Sequence, residues 1–99
     1  MVVHRIKGLK FMTDLKVKDF IARTVPNKLS LAETLDKMKS LYKSIAFESQ
    51  ILNGEFAVAF DDKGRETRKD LLNYYFADLY YYQTCIDYGN YKEVNNYGG

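Results

Sequence analysis

The sequence predicts a mainly α-helical small domain with two long antiparallel helices and a short N-terminal helix. Three observations predict it. Apolar residues recur at steps of three and four over about residues 30–53 and again over about 67–88. Each run is preceded by a side chain suited to capping and followed by an exit containing glycine, at Asn53-Gly54 and Gly89-Asn90. The single proline, Pro26, falls outside both runs, where it belongs to the approach to a helix and not to its interior.

In chain order, residues 1–12 read as a basic N-terminal arm, residues 13–89 as the helical domain and residues 90–99 as a loose C-terminal tail. Thr13 or Asp14 is placed to cap a short helix through Thr24, with Val17, Phe20, Ile21 and Thr24 as its inward face. Ser30-Leu31-Ala32-Glu33 has capping-box spacing, in which the serine oxygen and the glutamate each satisfy an amide of the first turn. From there Leu31, Leu35, Met38, Tyr42, Ile45, Ser49 and Leu52 share one face, while Phe47 and Ile51 stand on the opposite one. Phe56-Ala57-Val58-Ala59-Phe60 alternates large and small side chains and suits a minor β-strand or hairpin, or equally a helical turn between the long helices. In the last helix, expected to start at Thr67 or Arg68, the stripe Leu72, Tyr75, Leu79, Tyr82 and Ile86 is the predicted core face. Past Gly89, Tyr91, Val94 and Tyr97 are the few anchors among polar and glycine residues.

Composition narrows the function classes. Ninety-nine residues suffice for one modest core and fall short of a two-domain cofactor enzyme. The net charge of +2 is small for a protein dominated by phosphate neutralisation. Its distribution is uneven: residues 1–28 hold seven cations against Asp14 and Asp19. One cysteine, Cys85, excludes an intrachain disulfide and suits a reducing, cytoplasmic compartment. The opening Met1 to Arg5 has no apolar run of the signal-peptide kind, and no stretch approaches the roughly 18–20 apolar residues of a membrane span.

Catalytic patterns are missing from the sequence: no phosphate loop, dinucleotide glycine pattern, zinc-spaced cysteines or His-Glu-x-x-His array occurs. His4 and Cys85 lack a partner base in the pattern, and Asp61-Asp62-Lys63-Gly64 lacks the alternating oxygens of a calcium loop. The expectation is a non-enzymatic protein with no cofactor and no metal. Surplus aromatic surface is the positive signal. Tyr74, Tyr81 and Tyr88 repeat every seven residues along one line of the last helix, and Phe76 and Tyr80 occupy another side. Tyrosine offers apolar area with a polar tip, which suits an interface that stays soluble when open. These five residues are the expected protein interface, serving a homo-oligomer or a larger assembly; the Tyr74, Tyr81 and Tyr88 line would equally be core packing if the short N-terminal helix folds over it. The alternative is a nucleic-acid-binding accessory protein, in which Arg5, Lys7 and Lys10 of the arm contact phosphate; the same cations would also suit an acidic protein partner.

Overall fold

The computed structural model describes residues 2–53 and 61–93, with side chains from Phe11 onward. They form three helices, α1 (Val2–Thr24), α2 (Leu31–Asn53) and α3 (Asp62–Asp87). The two long antiparallel helices of the sequence reading are α2 and α3. Arg68, near the start of α3, pairs with Glu48 near the end of α2, while Lys92 beyond α3 donates its N–H to the Leu29 carbonyl just before α2 (2.7 Å). Among the described residues there is no strand, only an isolated parallel bridge between Ser30 and Lys92. The segment 56–60 lies outside the described residues.

Helix α1 begins eleven residues before the expected start at Thr13. No proline interrupts residues 2–12, and Gly8 alone weakens the helix, by about 1 kcal/mol. Thr13 continues the helix instead of capping it, because a threonine caps only where the preceding backbone has left the helix. The buried side of α1 also differs from the expected one. Val17, Phe20 and Thr24 are exposed, while Phe11, Leu15, Lys18 and Ala22 turn toward the body.

The capping box of α2 forms as the spacing dictates: Ser30 Oγ accepts the Glu33 N–H (3.1 Å) and Glu33 Oε1 accepts the Ser30 N–H (3.1 Å). Helix α3 starts five residues before the expected cap at Thr67. Asp61 is the N-cap, its Oδ1 accepting the Gly64 N–H at 2.8 Å. The acidic pair Asp61-Asp62 thus opens a helix. At the far end Gly89, with φ of 67°, closes α3 in a Schellman motif: its N–H reaches Ile86 O (3.0 Å), and the Asn90 N–H reaches Cys85 O (2.7 Å).

Helix α3 is the middle element. Both α1 and α2 pack on it and scarcely touch one another. Lys18 pairs with Asp78 (3.1 Å) and Asp19 accepts from the Tyr80 hydroxyl (3.2 Å), so α1 and α3 run parallel. At about 100° per residue, the line through Ala77, Tyr81 and Tyr88 lies nearly opposite the line through Arg68, Leu72, Leu79 and Ile86. The first faces α1 and the second faces α2. The result is a flat three-helix layer, 56 × 30 × 15 Å, with a radius of gyration of 16.7 Å. A compact chain of this length has about 13 Å.

A layer has little interior. The buried apolar residues among those described are Ala22, Met38, Ala77 and Cys85, and polar Asn27, Ser30, Thr34, Glu48 and Thr84 are buried with them. The inward face of α2 therefore differs from the expected stripe: Thr34, Met38, Leu41, Ile45 and Glu48 turn toward α3, and Leu35 and Tyr42 are exposed. Thr34 is drawn in by hydrogen bonds and Glu48 by Arg68, and these two polar anchors set the rotation of the helix. Leu72, Tyr75, Leu79 and Tyr82 of the expected core stripe are each only half-buried.

The expected boundary between residues 89 and 90 divides a segment that is tied down. Asn90 Nδ2 donates to the carbonyls of Ala22 (2.7 Å) and Val25 (2.9 Å), and its Oδ1 accepts the Asn27 N–H (3.0 Å). Asn27 in turn donates to Thr34 Oγ1 (3.1 Å), whose hydroxyl donates to Ser30 O (2.8 Å). One side chain past α3 thus holds the end of α1, the connecting loop and, through Asn27, the start of α2. Residues 94–99 lie outside the described part of the chain.

Candidate functional site

The five aromatic residues singled out in α3 separate into two groups. Tyr74, Tyr81 and Tyr88 lie toward α1, where cations of α1 cover part of the line. Lys18 Nζ stands 5.7 Å from the centre of the Tyr81 ring, and the Arg23 guanidinium 5.9 Å from that of Tyr88. Tyr74 and Tyr88 remain largely exposed and Tyr81 is half-buried. Edge-to-face pairs with the next residue stiffen the row, Tyr74 with Tyr75 (6.3 Å) and Tyr81 with Tyr82 (5.1 Å). Burial pushes the Tyr81 hydroxyl up to about 12, helped by its hydrogen bond with Cys85, and burial raises Tyr82 too. Cys85 is wholly buried and burial pushes its thiol up, which makes it a poor nucleophile at neutral pH.

Phe76 and Tyr80 stand on the outer side of α3, 43% and 41% exposed. The Tyr80 hydroxyl is anchored to Asp19, which also holds Arg23 at 2.6 Å. That triad fixes the ring at the edge of α1 while leaving its face open. The same side of α3 carries Lys69, Asn73, Gln83 and Asp87, all exposed, with Gln83 donating to Asp87 (2.9 Å). Projection of the antiparallel α2 places the exposed Leu35 and Tyr42 on this side as well. The open surface of the layer is therefore apolar across two helices, with polar residues toward both ends of α3.

A groove of about 440 Å³ separates α1 from the first half of α3, lined by Phe11, Asp14, Val17 and Lys18 of α1 and by Asp70, Asn73, Tyr74 and Ala77 of α3. Its lining mixes aromatic and aliphatic side chains with polar and charged ones. No general base and nucleophile meet there. Among the described residues no group of three or more His, Cys, Asp or Glu side chains is placed to hold a metal ion, and no helix is long and apolar enough to cross a membrane. The side chains of His4, Arg5, Lys7 and Lys10 lie outside the described residues; the backbone that bears them is part of α1.

Sequence reasoning missed Leu35 and Tyr42 as surface residues because it counted them toward the core. Lys69, Asn73, Gln83 and Asp87 stand in line with Phe76 and Tyr80 at a spacing that can be read from the sequence. Comparison with protein-family models, curated proteins and solved structures finds no match to this chain.

Proposed function

We propose that this protein is non-enzymatic and acts through protein-protein contact, as a homo-oligomer or as a component of a larger assembly, in the cytoplasm. The observation that supports this reading is surface area. The chain exposes 7679 Å², whereas a compact monomer of its mass exposes about 5,800 Å². The excess of about 1,800 Å² is more than twice the roughly 800 Å² that each partner buries in a standard interface. Large apolar side chains are spread over it, among them Met12, Phe20, Leu35, Tyr42, Phe47, Phe76 and Tyr80. A small all-helical domain without catalytic motifs gains most from covering such a surface.

Light scattering on the purified chain over micromolar concentrations, repeated with a single-stranded oligonucleotide, tests the reading. The expected outcome is a mass above 11.6 kDa, or retention of a protein partner, with no change on adding oligonucleotide. A monomer at high micromolar concentration that retains no protein from cell extract would end it. A mass increase only with oligonucleotide, reversed by salt, would replace it with phosphate binding by the basic start of α1.

A further inference from the structure

The outer side of α3 has a chemical order that reads the same way for two chains running in opposite directions. Lys69, Asn73, Phe76, Tyr80, Gln83 and Asp87 follow one another at steps of four, three, four, three and four. That alternation is the 3.5-residue repeat of a coiled-coil seam, which keeps successive side chains facing one partner helix. All six are exposed. From the middle outward the seam is aromatic with aromatic, then amide with amide, then cation with anion.

We infer that the partner of this surface is a second copy of the same chain, docked through α3 against α3 in antiparallel order about a two-fold axis near the level of Asp78. This inference rests on the protein-contact reading above. In that arrangement Phe76 meets Tyr80 of the partner subunit, Asn73 meets Gln83 of the partner subunit, and Lys69 meets Asp87 of the partner subunit, each contact occurring twice. An isologous interface demands this self-complementarity, since every contact made by one copy is repeated with the roles exchanged. A parallel pairing would instead set Lys69 against Lys69 and Asp87 against Asp87 at the two ends.

Layer architecture agrees with the charge order. Two such layers stacked on this side make a six-helix, two-layer body, the ordinary solution for elements that are apolar on more than one side. The exposed Leu35 and Tyr42 flank the seam on the α2 side and join the buried surface.

Sedimentation equilibrium of the full chain, with cross-linking between engineered cysteines, decides the matter. Wild type is expected at twice 11.6 kDa. Replacing Phe76 and Tyr80 together by Asp gives a folded monomer, checked by helical circular dichroism. Lys69→Asp and Asp87→Lys each weaken dimerisation, by roughly tenfold, because each places two like-charge pairs in the seam. The double swap restores it. For positional proof, Asn73→Cys mixed with Gln83→Cys forms a disulfide between chains on mild oxidation, while Asn73→Cys alone does not, its two copies being about 15 Å apart along antiparallel helices. A dimer that survives the double Asp variant overturns this inference and leaves the protein-contact reading intact, with another face responsible. So does a dimer whose Lys69→Asp/Asp87→Lys form is weaker than either single variant. A wild-type monomer at high micromolar concentration overturns the inference as well, and the reading then stands or falls on a different protein partner.

Discussion

The junction around Asn90 and the outer side of α3 are built of opposite materials. The junction is polar, buried and closed upon itself: Asn27, Thr34 and Asn90 meet backbone carbonyls and one another, and no buried side-chain nitrogen or oxygen among the described residues lacks a partner. The α3 surface is aromatic, exposed and incomplete. Small domains usually place apolar groups inside and polar groups outside. Here hydrogen bonds at one end, and an ion pair between α2 and α3, set the relative position of the helices, while much of the apolar area is left for another molecule. Fold and association are thereby separable, and substitutions should affect one without the other.

The largest effect is expected at Asn90. Asn90→Ala removes the acceptor of the Asn27 N–H and the donor to Ala22 and Val25, and should lower stability by about 3 kcal/mol in urea denaturation. Cys85, wholly buried beside it, should react faster with a thiol reagent in this variant. If Asn90→Ala changed the mass of the particle but not its stability, the division between junction and surface would be wrong. Arg68→Ala comes next. It takes from buried Glu48 its cation and should cost about 2 kcal/mol, less than a wholly buried pair because Arg68 is partly exposed. Pairing Arg68→Leu with Glu48→Met should recover most of that loss, since the site then holds no unpaired charge.

Two pH effects sharpen the contrast further. The folded-state pKa of Tyr81 is raised, so its contribution is complete below pH 10 and disappears as the pH climbs through about 12. Absorbance titration of the phenolates should show a late component that Tyr81→Phe removes. The smallest effect is at the start of α2. The Ser30 N–H and then the Ser30 hydroxyl hold the Glu33 carboxyl below its ordinary value, so the capping box contributes above the ordinary carboxylate range and is lost as pH falls through the lowered value. The protection of the Ser30 amide, taken relative to its intrinsic exchange rate, should fall on acidification, and in Glu33→Gln the change should flatten.

What the sequence made legible was local. The Ser30–Glu33 box, the end of α2 at Asn53 and the glycine exit after Tyr88 depend on neighbours within a few residues, and each was visible. The side of a helix that faces inward was not, because these helices carry apolar residues on more than one side, so periodicity supplied several equivalent stripes. The structure chose among them with groups that periodicity scores as surface: Thr34 and Glu48 turned inward while Leu35 and Tyr42 turned out. The sequence reading places Phe76 and Tyr80 on a separate side of α3 and takes no account of the amides and charges in line with them. Asn90, the residue that ties three segments together, sits in what composition alone describes as a tail.

The central place of α3 also constrains how the chain reaches its fold. Synthesis delivers α1 and α2 first, and these two scarcely touch. Neither can bury its inner side until the last helix has emerged and inserted between them, and the junction closes only when Asn90 follows. Most native packing is therefore between segments distant in sequence, the kind whose chain-entropy cost falls due before any contact rewards it. Until α3 has emerged, α1 and α2 are amphipathic segments without a partner, exposed to whatever else is apolar nearby.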